Sequence, residues 1–149
     1  MTEYTLREAT NQDFELSYKI RKNALGEYVK QTRGWDEDWQ LKYHKKDFDA
    51  KILKIIEVKG NPAGSLEVYR ENDHLVVSGL YIIDKYQNQQ IGTRIMTSII
   101  KDAHLNSFKI KLQVLKVNNK AKVLYERLNF KVFEETEHHF QMIYKPSDK

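Results

Sequence analysis

Apolar residues change their spacing several times along this chain, and each change marks an element. Ile91, Ile95, Ile99 and Ala103 recur every fourth residue, which predicts an amphipathic helix beginning near Gln90. Ala121, Leu124, Tyr125 and Leu128 follow i, i+3, i+4, i+7 and predict another. Nearer the start, Phe14, Leu16, Tyr18, Ile20, Ala24, Leu25, Tyr28 and Val29 fit a helix better than a strand, with helix-start residue types Thr10, Asn11 and Asp13 before it. A further helix follows Gly34, where Asp36, Glu37 and Asp38 put negative charge at the positive end of its dipole. Strands show the shorter period: Ile110, Leu112 and Val114 alternate with Lys109, Lys111 and Gln113. "YTLREA", "AKILKIIEV" and "SLEVYR" predict three more, and the nearly all-apolar "HLVVSGLYII" predicts a central strand covered on both faces. "KGNPAG" reads as a turn through Asn61, Pro62 and Gly64, "END" as a hairpin link, and "FKVFEET" with "HFQMIY" as a closing hairpin. The order β-α-α-β-β-β-α-β-α-β-β predicts one α/β domain over residues 1–149, a mixed and mostly antiparallel sheet flanked by helices.

Composition narrows the chemistry. A chain of 149 residues, 40% hydrophobic and 31% charged, suits one globular domain with a proper core. It has no cysteine, which excludes disulfides, zinc–thiolate sites and thiol nucleophiles. No apolar run reaches membrane-spanning length and "MTEYTLREAT" lacks an apolar signal core, so a cytoplasmic location is the default expectation. The five histidines show no H-x-x-x-H spacing, and no metal is expected. The net charge of +4 is unevenly spread. Between Ser107 and Lys131, Lys109, Lys111, Lys116, Lys120, Lys122, Arg127 and Lys131 face one acid, Glu126. That run is either a solvated lysine face or the neighbour of a phosphate-rich ligand.

"YQNQQIGTRIM" (86–96) places amides and one glycine at the mouth of a helix, where unpaired backbone N–H groups favour an anion. Neither a G-x-G-x-x-G fingerprint nor a P-loop occurs, so a helix start without ligand is the alternative. "LQVLKVNNKAKVLYERLNF" (112–130) supplies a strand, an Asn in the following turn, a helix with Leu-Tyr, and an aromatic opening the next strand. Together with "LYIIDKYQNQQIGTRIM", in this order and separation, it resembles the GNAT superfamily of acyl-CoA-dependent N-acyltransferases, best from about Val58 to Lys131. The resemblance sets Gln87 and Gly92 on the first and last positions of the family's Q/R-x-x-G-x-G/A loop. It implies that the backbone of Gln87, Asn88, Gln89, Gln90, Ile91, Gly92 and Thr93 cradles the pyrophosphate of acetyl-CoA. It further implies that N–H groups on the Leu80–Ile83 strand (Tyr81, Ile82, Ile83) polarise the thioester, that Asn118 contacts the pantetheine arm, and that Tyr125 is the general acid. By charge alone, the Lys109–Lys122 group belongs near the 3′-phosphate.

The chain departs from the family pattern at Gln90, which replaces the loop's middle glycine. Since Gln can occupy a helical first turn, reshaped or weaker phosphate contacts are expected. Asn129 replaces the usual glycine before Phe130, a mild change because Asn tolerates left-handed backbone. The strand from Leu75 to Ile83 carries no carboxylate to act as base. Glu67 on the neighbouring strand, or a water chain, is left for that role, although Glu67 reads first as an ordinary exposed strand residue. Tyr125 lies on the apolar stripe of its helix, and plain core is its other reading. In "GWDEDW", Trp35, Asp36 and Glu37 offer charge and aromatic faces to a cationic amine, against the simpler reading of an acidic first turn with a Trp packed inward.

The expectation is therefore an N-acetyltransferase moving an acetyl group from acetyl-CoA to a primary amine by direct attack. The acceptor is a small molecule or peptide, and a homodimer is left open. A lysine-type amine near ~10.4 must first lose its proton, so a base or desolvation is needed. Two rivals come from other classes. One is a catalytically silent acyl-CoA sensor, suggested by Gln90 and the missing strand carboxylate. The other is a basic nucleic-acid module, suggested by a pI of about 9.1 but lacking a recognisable reader motif.

Overall fold

The computed structural model describes residues 2–146. Its elements run β1 (Thr5–Glu8), α1 (Phe14–Lys30), α2 (Glu37–Asp49), β2 (Leu53–Val58), β3 (Asn61–Glu71), β4 (His74–Ile82), α3 (Ile91–Leu105), β5 (Lys109–Leu115), α4 (Asn119–Arg127), β6 (Lys131–Glu135) and β7 (His139–Tyr144). This is the order expected from the apolar spacing. The strands join one mixed sheet in the order β1-β2-β3-β4-β5-β7-β6, with β4 and β5 parallel. The chain groups into two compact units, Met1–Val68 with Gly79–Gly92, and Tyr69–Ser78 with Thr93–Lys149.

In the first unit, β1 pairs antiparallel with β2 and β2 with β3. Thr10 and Asp13 form a reciprocal capping box at a 3-10 turn that leads into α1. Arg7 clamps Asp13 with two bonds of 2.8 and 3.1 Å, and this holds the Asp13 carboxyl down at about 2. The turn after β2 differs from expectation. It is made by Lys59 and Gly60, both left-handed (φ 52° and 80°), while Asn61 and Pro62 already belong to β3. Pro62 lies opposite Glu57, where the ladder is bulged and a missing N–H is tolerated. Gly64 is required by a close approach: a Cβ there would lie 2.1 Å from the Tyr81 carbonyl oxygen. Ile20, Leu53, Ile55 and Tyr81 form a buried core on which Leu16, Ala24, Leu25 and Phe48 pack.

In the second unit, His74–Val77 of β4 run parallel to Lys109–Leu112 of β5, and β5 continues antiparallel to β7 as far as Leu115. The inward residues Ile110, Leu112 and Val114 are buried, as their alternation predicts, and Met142 and Phe130 are buried in the same unit. Asn118 caps α4 by accepting from the Ala121 N–H at 3.1 Å. The helix stops at Asn129, which is left-handed (φ 71°), and the Phe130 N–H returns to the Tyr125 carbonyl at 3.0 Å. Asparagine takes the conformation that the expected substitution for glycine requires.

Candidate active site

The segment between β4 and α3 is held by its own amides. Gln87 Nε2 donates to the Ile82 carbonyl at 2.8 Å, and Gln89 Nε2 to the Lys85 carbonyl at 3.2 Å, while Gln89 Oε1 accepts from Thr2 Oγ1 at 2.8 Å. These side chains therefore shape the loop, leaving the backbone to meet a ligand. Asn88 and Gln90 both have left-handed backbone (φ 63° and 66°), and α3 begins at Ile91. Gln90 is thus not in a helical first turn. It adopts the left-handed backbone that glycine takes most readily, with an exposed side chain. At Gly92 a Cβ would meet only Leu80 Cδ2, at 4.0 Å, so packing within the first unit does not demand glycine there.

The three strand N–H groups expected at a thioester divide by direction. The Ile83 N–H is spent on the Ala63 carbonyl at 2.9 Å. Successive N–H groups of a strand alternate edges, so Tyr81 faces the same way and Ile82 the opposite way. Of the three, Ile82 is the one whose N–H is turned from β3.

Glu67 overturns its first reading. It is 1% exposed, because Ala63 to Glu67 are buried in succession and β3 is covered on both faces. Gly79 gives it room: a Cβ at 79 would sit 3.1 Å from Glu67 Oε2 and 2.8 Å from the Tyr81 ring. On α2, burial raises the Asp47 carboxyl, against the pull of Arg21. Beside them Arg21, also buried, donates to Gln40 Oε1 through two nitrogens (3.1 and 3.4 Å) and to the Tyr81 hydroxyl at 3.2 Å. Its guanidinium lies over the rings of Tyr43 (5.0 Å) and Tyr81 (5.9 Å). Burial raises the Tyr81 phenol, and the negative charge of Glu67 adds to that against the pull of Arg21. Next to this cluster, Ser17 donates to the Phe14 carbonyl, so its oxygen accepts from His44 Nε2 at 2.6 Å. The His44 ring is then neutral with a buried, unpartnered Nδ1, and burial lowers it to about 4.

In the second unit Tyr125 is buried, edge-on to Phe130 at 5.6 Å. Burial pushes its phenol up to about 12, so it is fully protonated at neutral pH. Asn118 Oδ1 is used by the α4 cap, so the donor its side chain still has to offer is the amide nitrogen.

Comparison with known proteins decides the family. The model of the acetyltransferase (GNAT) family matches residues 7–130. The chain belongs to the GNAT family of acetyltransferases. Solved structures share the fold of this GNAT chain at low identity. A protein from Pyrococcus horikoshii OT3 has a TM-score of 0.78 at 15% identity, covering 97% of this chain and 99% of its own. The PaiA N-acetyltransferase of Thermoplasma acidophilum, solved with coenzyme A, has 0.75 at 14%, covering 96% and 99%. The ribosomal-protein-S18-alanine N-acetyltransferase of Escherichia coli has 0.71 at 16%, covering 99% and 96%. No curated protein matches the sequence significantly. Among the described residues, no helix is long and apolar enough to cross a membrane.

The remaining sequence candidates of this GNAT chain are engaged with their own neighbours. Asp36 caps α2 by accepting from the Trp39 N–H at 3.1 Å. Trp35 Nε1 and Lys22 Nζ both donate to Glu37 Oε2, at 2.7 and 3.1 Å, and Lys22 also lies over the Trp35 ring. The indole bond first, then Lys22, lowers the Glu37 carboxyl. Trp39 is not packed inward but 44% exposed, stacked on Tyr43 with Arg33 over its ring. Among the lysines, Lys116 pairs with Glu135 and Lys122 with Glu126, and both reach the Phe140 ring. Sequence reasoning missed Arg21, Gln40, Tyr43 and Asp47. The one available signal was Gly79 inside an apolar strand, which marks a close approach.

Proposed function

We propose that this GNAT chain transfers an acetyl group from acetyl-CoA to a primary amine, with Glu67 as base and Tyr125 as acid. The observation that carries the reading is the burial of Glu67 in the cluster that holds Tyr81 and Arg21. A carboxylate sunk among polar groups supports an enzyme over a silent sensor, because burying it is costly unless it has work or partners. The left-handed turn at Asn88 and Gln90 supports a backbone cradle for the pyrophosphate, with Gly92 admitting its close approach. Asn118 meets the pantetheine arm through its free amide nitrogen.

The chemistry needs no protein nucleophile. The ammonium acceptor gives one proton to Glu67, and the neutral nitrogen attacks the thioester carbonyl while the Ile82 N–H stabilises the growing oxyanion. The carbon–sulfur bond breaks as Tyr125 supplies a proton to sulfur. The second proton of the nitrogen restores the phenol. Trp35 and Glu37 border the acceptor side. The test is a screen of amine classes with acetyl-CoA, reading free CoA. Amine-dependent thiol release that disappears in Glu67→Gln, with CoA binding retained, is the expected result. CoA binding without release for any amine, in the parent protein, would leave a sensor instead.

A further inference from the structure

Gly79 stands inside β4, where a glycine weakens the strand, and its backbone does not ask for one: the left-handed glycines among the described residues are Gly34 and Gly60. What excludes a side chain there is a pair of neighbours. A Cβ at position 79 would lie 2.8 Å from Tyr81 Cε2, 3.1 Å from Tyr81 Cζ and 3.1 Å from Glu67 Oε2. Residues 79 and 81 share one face of β4, so the Tyr81 ring folds back along its own strand and brings its hydroxyl end over the bare glycine. The Glu67 carboxylate reaches the same gap from β3.

That end of the ring is held. Arg21 Nη1 donates to the Tyr81 hydroxyl at 3.2 Å. Arg21 is itself fixed by Gln40 Oε1, through Nη2 at 3.1 Å and Nε at 3.4 Å, and lies 5.0 Å from the centre of the Tyr43 ring. Arg21, Gln40, Tyr81 and Glu67 are all buried, so none of them can swing into solvent. Carbon atoms pack at about 3.5 Å or more, and a methyl group at 79 would have to push its neighbours by roughly 0.7 Å. With the ring tied to Arg21, the flexible end left to move is Glu67 Oε2. Resting on the reading of Glu67 as base, we propose that Gly79 and the Arg21-held Tyr81 ring are its positioning residues: together they set where the Glu67 oxygen stands when it meets the proton of the ammonium acceptor. The placement matters for an amine that arrives charged and much less for one that arrives neutral.

The test compares a good alkylamine acceptor with its β-fluorinated analogue, which is weakly basic and already neutral at the assay pH. In Gly79→Ala, kcat for the alkylamine should fall by about 10–10²-fold with KM for acetyl-CoA unchanged, and the fluorinated amine should lose several-fold less. Tyr81→Phe keeps the ring but removes the bond from Arg21, and should show the same selectivity at smaller amplitude. The double variant should be no slower than Gly79→Ala, because both changes act through one carboxylate. Tyr81→Phe alone carries the test if Gly79→Ala fails to fold. A parental kcat, or equal losses with the two amines, overturns the proposal where Glu67→Gln is slow with the alkylamine. A Glu67→Gln protein at the parental rate would instead overturn the base reading beneath it, and the proposal with it.

Discussion

Replacing Gln90 by glycine should make the protein more stable without harming coenzyme binding. The residue stands at φ 66° with its side chain exposed, so it contributes little packing and bears the steric cost of a left-handed L-residue. That cost is roughly 1–2 kcal/mol. Glycine removes it, yet loosens the unfolded chain by roughly 0.4–1 kcal/mol, which leaves a net gain of about 0.5–1 kcal/mol. For a chain of this length each kcal/mol moves Tm by about 2–4 °C, so a rise of about 1–4 °C is expected. Gln90→Val tests the same backbone from the other side, because a β-branched residue is a genuine outlier there and should lose about 1–2 kcal/mol. Urea melts of the three proteins, with calorimetric CoA titrations, make the comparison. The Gly variant should bind CoA at least as tightly as the parent, since the loop backbone is already in the glycine-like state. A destabilised Gly variant together with a Val variant at parental stability would show that Gln90 is not left-handed in solution.

Gly92→Asp should keep the fold, since a Cβ there touches only Leu80, but should lose most CoA affinity in calorimetry by placing bulk and negative charge against the pyrophosphate. Unchanged affinity would move the loop elsewhere. Tyr125→Phe should lower kcat by ~10²–10⁴-fold with CoA affinity intact, whereas a stability change at parental rate would make Tyr125 plain core. His44 gives a pH signature. Its folded value lies near 4 against an ordinary 6.5, so between these the unfolded chain takes a proton that the folded one refuses. Stability should fall as pH drops from 6.5 to about 4, and His44→Leu should flatten that stretch in pH-dependent urea melts.

α3, α4 and β5 were legible because their apolar residues keep one period from end to end. Where both faces of a strand are covered, that rule loses its meaning, and Glu67 was read as exposed for that reason. The polar cluster was hidden for a related cause. Arg21, Gln40 and His44 occupy buried helix positions with side chains typical of a solvent face, so periodicity assigns them outward. The displaced turn at Lys59-Gly60 shows local signals in competition, since Asn61-Pro62 is as strong a turn dipeptide but falls on a bulge. The loop between β4 and α3 was legible in sequence order, while its left-handed Gln90 was not, because nothing in the residue type announces that geometry.

Trp35 and Trp39 are the two tryptophans of the chain, and they bracket the first turn of α2. Each lies against a cation, Lys22 or Arg33, and Trp39 also stacks on Tyr43, which joins Arg21. Indole emission from the unmodified protein is therefore a built-in optical gauge of one helix. Any ligand that shifts α2, or draws Arg21 away from Tyr43, should change that emission without a label.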